Sequence, residues 1–542
     1  MPQIATAAAE ADLDFVVLTD HGDATGIAAP AYYEGVLMID GVEVSTDGGH
    51  YAALGLGSAP YPLGGDARGV IEDVRRLGGI GIAAHPTSPR PALAWSDPSL
   101  PVDAVEWING DSEWRDENWT SLAHVLFGYW IRPAESLALM LDRPESALAL
   151  WDDLASRRRV VGIGAADAHG RLSTEADDEG YGGEGAGDGS AENGGLRLPG
   201  YEPVFRALSV QIELDRPLIG QALPDAAAIL SSLREGRVYT VVDAIAGPAR
   251  VAWTGRAAGG ELIRMGEWTP GNGPVDLIAN VAGVEDATFT LLSNGAPILA
   301  GEPGPTLTYR TPVAPEDWTA FRVEVFLPDA PGDPPVPWIV SNPIYVGGAP
   351  ADAVGDTNLV SAISAEPSSL PEQADDPAAT GQGRRLPREW QVEQRDAEVF
   401  LASNRLGPET DAGEEIQMTF ELGSDVETYA AAVQPLEAGE LVGTTAVRFE
   451  TEASQPMRLS LQLRRSHPAG GEGDRWRRSF YVGTERRAVT VPFDQLVRVT
   501  PDLEAQPDLA AVDSLLIVVD TVNTFPGTRG SLTIVGPHLV GP

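Results

Sequence analysis

Four short apolar runs within the first 170 residues each lead into a side chain that can hold a metal ion, and no other feature constrains the fold as tightly. Phe15-Val16-Val17-Leu18 runs into Thr19-Asp20-His21. Val36-Leu37-Met38-Ile39 leads through Gly41-Val42 to Glu43. Ile80-Gly81-Ile82-Ala83-Ala84 ends at His85-Pro86, and Val160-Val161-Gly162-Ile163-Gly164 reaches Asp167-Ala168-His169. Continuous apolar runs of this length read as strands buried on both faces. Helical patterns lie between them. Val70, Ile71, Val74 and Leu77 share one helical face before a Gly78-Gly79 stop, 147–157 reads as a second amphipathic helix, and 3–11 as a third. Strands alternating with helices predict parallel pairing, with chemistry at the C-terminal strand ends.

The chain has 542 residues, too many for one core. After residue 246 the texture changes to alternating strands such as Phe321-Arg322-Val323-Glu324-Val325-Phe326, with Ser293-Asn294-Gly295 as a hairpin tip. Residues 247–348 are expected to form a small Ig-like β-sandwich. The stretch 349–387, rich in Ala, Pro, Asp, Glu and Ser, reads as a linker. Strands are then expected at 416–422, 446–450, 457–463, 479–482, 488–493, 515–520 and 531–535, giving 388–542 a jelly-roll or galactose-binding-like sandwich. No apolar stretch is long enough to span a bilayer.

Charge and composition narrow the chemistry. The 37 basic residues are all Arg and face 79 acidic ones, a net charge of −42 that repels nucleic acid and anionic lipid. Without Lys there is no Walker or Schiff-base lysine, and without Cys no disulfide, thiolate nucleophile or thiolate-bound zinc. A metal must therefore sit on imidazole and carboxylate. Of seven His, four stand at strand ends: His21, His50, His85 and His169. With Glu43 and Asp167 they compose a donor set suited to Mn, Zn or Fe, two or three ions together. Each His taken alone reads first as an ordinary core or surface residue, and only the set of four points to metal.

The stretches Leu18-Thr19-Asp20-His21, Gly41-Val42-Glu43-Val44, Gly49-His50, Ala84-His85-Pro86 and Ala166-Asp167-Ala168-His169-Gly170 resemble, in order, the motifs of polymerase-and-histidinol-phosphatase (PHP) metallohydrolases. Four further stretches resemble the CehA/McbA subfamily, which includes carbamate-pesticide hydrolases. They are Ala104-Val105-Glu106-Trp107-Ile108-Asn109-Gly110, Leu148-Ala149-Leu150-Trp151-Asp152, Leu233-Arg234-Glu235-Gly236-Arg237-Val238-Tyr239 and Trp338-Ile339-Val340-Ser341-Asn342-Pro343-Ile344-Tyr345-Val346.

The resemblance implies a distorted (β/α)7 barrel over residues 1–246, hydrolysing phosphoester or carbamate/carboxyl ester bonds of a small-molecule substrate with a metal-held hydroxide. It makes Glu43 a carboxylate bridging two ions, one held with His50 and His85, the other with Asp167. His21 and His169 hold a third. Asp20 orients a ligand or a proton transfer, and Glu106, Asn109 and Arg115 line the substrate mouth. The family's first strand, carrying Asp-x-His-x-His, has no counterpart here, since Met1 falls after it. A start site placed too far downstream, or a fragment, is one explanation, with an export signal lost as well and an extracytoplasmic setting. The other is a non-catalytic remnant whose β modules bind carbohydrate or a cell surface.

Other features read more plainly. The acidic, Gly-rich stretch 175–199 lacks the spacing of a calcium loop and reads as an insertion. His124 reads as core, and His467 and His538 have no carboxylate in motif spacing. Trp390, Trp476, Phe480 and Tyr481 are candidates for a sugar-stacking platform, but in a sandwich they read first as core.

Overall fold

The computed structural model of the 542-residue chain describes residues 1–541 apart from 111–131, 170–199, 248, 271–272, 312–316, 329, 349–383, 387–388, 406–413, 468–472 and 500–503. Arg115, His124, the stretch 175–199 and the expected linker, except 384–386, lie outside the described residues. The chain is a multidomain, mainly β protein built on several sheets. No helix among the described residues is long and apolar enough to cross a membrane.

The first sheet has seven strands: β1 (Phe15–Leu18), β2 (Ala31–Tyr33), β3 (Val36–Thr46), β4 (Gly49–Leu54), β5 (Ile80–Ala83), β6 (Ala104–Asn109) and β7 (Val161–Ala165). Their order is β1-β3-β4-β5-β6-β7, with β2 on β3. β1 and β3 are parallel, as are β5, β6 and β7. β4 departs from the expected parallel pattern and runs antiparallel to both β3 and β5. Only Asp47 and Gly48 separate β3 from β4, and a parallel crossover needs a dozen residues or more, so the connection must be a hairpin.

The expected (β/α)7 barrel is not formed by the described strands. β8 (Ser209–Ile212) and β9 (Val238–Val241) pair with each other, and β9 pairs with Ile339–Ser341. Both thus belong to an eight-stranded sheet that draws its other strands from beyond residue 246. At β7, side chains take the place of a neighbouring strand. There the Asn342 amide occupies the Gly162 backbone, accepting its N–H at 2.8 Å and donating to its carbonyl at 2.8 Å, while also donating to the Val238 carbonyl at 2.7 Å. The Tyr345 hydroxyl meets the Val160 backbone on both sides, at 3.1 and 3.2 Å. The edge of β7 is therefore satisfied by side chains of the following unit.

Helices cover the first sheet. α1 (Pro2–Glu10) packs Ala5 and Ala8 with Leu18, Val36 and Met38. α2 (Ala67–Arg76) starts at Asp66, whose carboxylate accepts the Arg68 N–H at 3.1 Å, and carries Arg75 and Arg76 in its last turn, where the helix dipole favours cations. Its buried Val70, Ile71 and Val74 face the same core as Trp107 and Trp151, the latter on the Glu145–Ala155 helix. Gly81 in β5 leaves room for the fully buried Tyr51: a Cβ there would lie 1.7 Å from the Tyr51 hydroxyl.

The middle unit packs a four-stranded sheet, Arg250–Arg256 with Leu262–Arg264, Asp276–Ala282 and Thr306–Arg310, over a core of Trp253, Leu277, Phe289, Leu291, Val323 and Trp338. Its hairpin tip is the expected Asn294-Gly295, both at positive φ (47° and 78°). The C-terminal unit is a sandwich of two six-stranded sheets. One is centred on Glu414–Leu422, Arg529–Val540 and Ala446–Ala453, the other on Tyr429–Pro435, Ser514–Asp520 and Met457–Arg465, with Asp474–Val482 beyond. Trp476 and Phe480 are in its core, Trp390 packs against that core, and Tyr481 stacks on Tyr61 of the first unit. These four aromatics form no exposed platform.

Candidate metal centre

The β3–β4 hairpin brings two donors together that the sequence separates by seven positions. In its register Ser45 lies opposite His50 and Glu43 opposite Ala52, so Glu43, Ser45 and His50 share one face, with Glu43 diagonal to His50. Glu43 Oε1 stands 2.5 Å from His50 Nδ1 and 3.1 Å from His85 Nε2. One carboxylate oxygen thus meets two imidazoles. Ser45 Oγ lies 3.5 Å from the other nitrogen of His50.

His21 arrives through backbone pairing. Beyond the end of β1 the chain keeps its parallel register with β3: the Glu43 N–H donates to the Asp20 carbonyl at 3.1 Å, and the Gly22 N–H to the Glu43 carbonyl at 3.1 Å. This sets the His21 ring edge-on to His50, centroids 5.1 Å apart. One ligand atom from each of His21, Glu43 and His50 lies within 4.8 Å of the others. The His85 ring also sits edge-on to His50, with centroids 5.1 Å apart. Its backbone leaves β5 at φ 27°, and its N–H donates to Glu106 Oε2 at 2.7 Å.

Glu106 and Asn109 are buried behind His85 rather than open at a mouth. Glu106 Oε2 also accepts from Asn109 Nδ2 at 2.9 Å, so the pair braces the His85 backbone. Asp20 is exposed, and it meets the site through its main-chain carbonyl, which accepts the Glu43 N–H. Asp167, at φ 46°, is near enough for its charge to act on His85 and Glu106. His169 Nδ1 turns back to the Asp167 carbonyl at 3.0 Å and is exposed. The structure therefore brings Glu43, His50, His85 and His21 together, places Asp167 beside them, and leaves His169 at the rim.

The electrostatics follow from burial and pairing. Burial works against the Glu43 charge, yet the bonds from His50 and His85 hold its carboxyl well below the ordinary carboxylate range. Burial likewise disfavours the His85 imidazolium, but Glu43, Glu106 and Asp167 outweigh it, and the imidazole is pushed up to about 9. Glu106 goes the other way. Burial lifts it to about 7, opposed by His85 and reinforced by Asp167.

These residues fit a divalent cation. Three imidazoles and a carboxylate are the donor types that Zn, Mn and Fe accept, and His85 Nδ1 is buried with no hydrogen-bond partner of its own. Sequence reasoning missed Ser45, although strand alternation from Glu43 points to it. It also missed Asp47 and the residues of the C-terminal sandwich that touch it, for which no local pattern exists.

No family model and no curated protein matches the sequence. Among solved structures, the chain is similar to the family 11 carbohydrate-binding module of the cellulosomal cellulase Lic26A-Cel5E of Clostridium thermocellum, at 14% identity, over 30% of this chain and 94% of that one, with a TM-score of 0.24. It is similar to the family 30 module of the cellulase Cel9D-Cel44B of the same organism at 8% identity, over 29% and 94%, with a TM-score of 0.22. A third is a carbohydrate-binding module of the β-sandwich superfamily with promiscuous specificity, at 9% identity, over 54% and 98%, with a TM-score of 0.21. TM-scores this low carry no argument about function.

Proposed function

We propose that the chain is a metal-dependent hydrolase of the PHP type, acting on phosphoester or carbamate/carboxyl ester bonds of a small molecule. The observation that carries the reading is the meeting of His50 and His85 on one oxygen of Glu43, with His21 alongside. Glu43, His50 and His85 would hold one ion, Asp167 would help hold a second beside Glu43, and His21 with His169 would hold a third. A bound divalent ion supplies a hydroxide nucleophile at neutral pH and stabilises charge on the group under attack. The protein's own part is positional. Glu43 sets the two imidazoles, and Glu106 and Asn109 fix the His85 backbone.

The test is hydrolysis of p-nitrophenyl phosphate and of an aryl N-methylcarbamate with Mn(II) or Zn(II) added to the full chain. The reading expects a metal-dependent rate on at least one of them, falling about 100-fold or more in Glu43→Ala, as loss of a ligand orienting two others should. A rate indifferent to metal, or to Glu43, would refute it.

A second reading has the C-terminal sandwich bind carbohydrate, with or without catalysis elsewhere. It draws on Phe400, which is 68% exposed on the edge strand Ala397–Arg405 and offers a face to a sugar ring. Retardation of the chain in gels containing a soluble β-glucan, lost in Phe400→Ala, would favour it. Equal mobility with and without polysaccharide would remove it.

A further inference from the structure

The turn that joins Glu43 to His50 is held by the C-terminal sandwich, more than 400 residues away in the sequence. Arg477 Nη2, on the strand Asp474–Val482, reaches Asp47 Oδ2 at 3.3 Å. Asp47 lies at the tip of the β3–β4 hairpin, two residues past Ser45 and three before His50. The same carboxylate accepts the Ala67 N–H at 3.0 Å through Oδ1, and the Asp47 N–H donates to the Gly65 carbonyl at 2.8 Å. The segment that receives it is clamped from the sandwich in turn. Arg478 Nη1 and the Ser479 N–H both bond Asp66 Oδ2, at 2.9 and 3.0 Å, and Asn523 Nδ2 donates to the Pro62 and Gly64 carbonyls at 3.2 and 3.1 Å.

On its inner side the turn is equally constrained. The Ser96 N–H donates to the Gly48 carbonyl at 2.8 Å, and Gly49, at φ 116°, lies so close to Ala94 that a Cβ would stand 2.6 Å from its carbonyl oxygen. A hairpin tip is otherwise the most mobile part of such a ribbon, and the spacing of Glu43 and His50 depends on the twist set there.

We propose that the C-terminal sandwich is a positioning part of the metal centre: Arg477 on Asp47, with Arg478 on Asp66, fixes the hairpin turn so that Glu43 and His50 present their donors at one spacing. This rests on the metal reading of the site. Groups that orient ligands from behind are typically worth about 10- to 100-fold in metal affinity.

The experiment is competition for Zn(II) against a chromophoric chelator, using the full chain. It compares the unaltered protein with Arg477→Ala, Arg477→Lys and Asp47→Asn. The reference is Arg486→Ala, which removes an ion pair to Glu452 within the sandwich. Thermal midpoints without metal are recorded for each. Affinity should drop roughly tenfold in Arg477→Ala and Asp47→Asn, be largely kept by Arg477→Lys, and be unchanged in Arg486→Ala, even where the midpoints of Arg477→Ala and Arg486→Ala move alike. Unaltered affinity in Arg477→Ala overturns the proposal. If that variant does not fold, unaltered affinity in Asp47→Asn does so. Absence of Zn(II) binding by the unaltered chain is a different result, and brings down the metal reading on which the proposal stands.

Discussion

At Glu43 a single carboxylate oxygen faces two imidazoles inside the protein, so its removal frees both rings at once. Glu43→Ala should weaken binding of a divalent ion by more than about 100-fold, while His467→Ala, an exposed imidazole paired to Asp474 in the far sandwich, leaves it unchanged; equilibrium dialysis with Zn(II) reads both. Asp243 supplies a prediction about pH. Burial, opposed by the Ser209 hydroxyl donating at 2.5 Å, raises its carboxyl to about 6. An acid whose folded value lies above its unfolded one binds more protons when folded, so stability is fullest below the unfolded value and falls as pH rises through the window from about 4 to about 6. Asp243→Asn should flatten that part of the stability profile, by at most about 3 kcal/mol. Identical slopes between pH 4 and 6 in thermal denaturation of the two proteins would contradict this.

The same residues show what a sequence can disclose. His21, Glu43 and His85 are readable because each follows an apolar run that reads as a strand, and His50 because it opens one, and strand ends in one sheet are neighbours. Ser45 needed the further step of counting alternate positions. The bracing role of Glu106 and Asn109 depends on which way β6 faces, which the continuous burial of Ala104–Asn109 conceals.

Among the elements, the β3–β4 hairpin and the stretch around Asn342 do most to shape the first unit. Asn342 is 1% exposed and answers three backbone groups in two different strands. Asn342→Ala leaves those groups buried without partners, which should cost roughly 2–4 kcal/mol. It should also quicken hydrogen exchange at Gly162. Exchange at Gly162 unchanged from the parent would count against the stitching role. The run Trp338 to Val346 stands out in the sequence by its family resemblance, but not by its physical work, because nothing local says that Asn342 will bond a strand 180 residues earlier. The alternation of strands and helices does not extend to β4, because the two residues before it allow only a hairpin. In the terminal sandwich, strands built on Val, Ile, Leu and Phe were legible. Those at Gln391–Arg395 and Tyr429–Pro435 were not, since a polar edge and an Ala-rich run carry no period-two signal.

Across the molecule, buried ion pairs join units that the sequence presents as separate. Arg458 of the sandwich is 2% exposed and bonds Asp73 of α2 at 2.9 and 3.2 Å and Glu72 at 3.2 Å. On the other flank Arg322 grips Asp152 with two bonds of 2.7 Å and leans over Trp151. Removing one side of such a pair strands a buried charge. Arg458→Ala should therefore destabilise by about 3–5 kcal/mol, and adding Asp73→Asn should recover part of the loss, which urea midpoints can measure. A double variant no more stable than the single one would place the energy in packing instead.

Glu43, His50, His85 and His21 converge in the fold, and the proposed function has them hold divalent metal. The most direct measurement is titration of the full chain with Co(II), followed by visible absorption. A saturable signal that reports imidazole and carboxylate ligands, and that vanishes in Glu43→Ala, is the result expected. No saturable signal in the parent chain, or one that survives Glu43→Ala undiminished, would contradict the account.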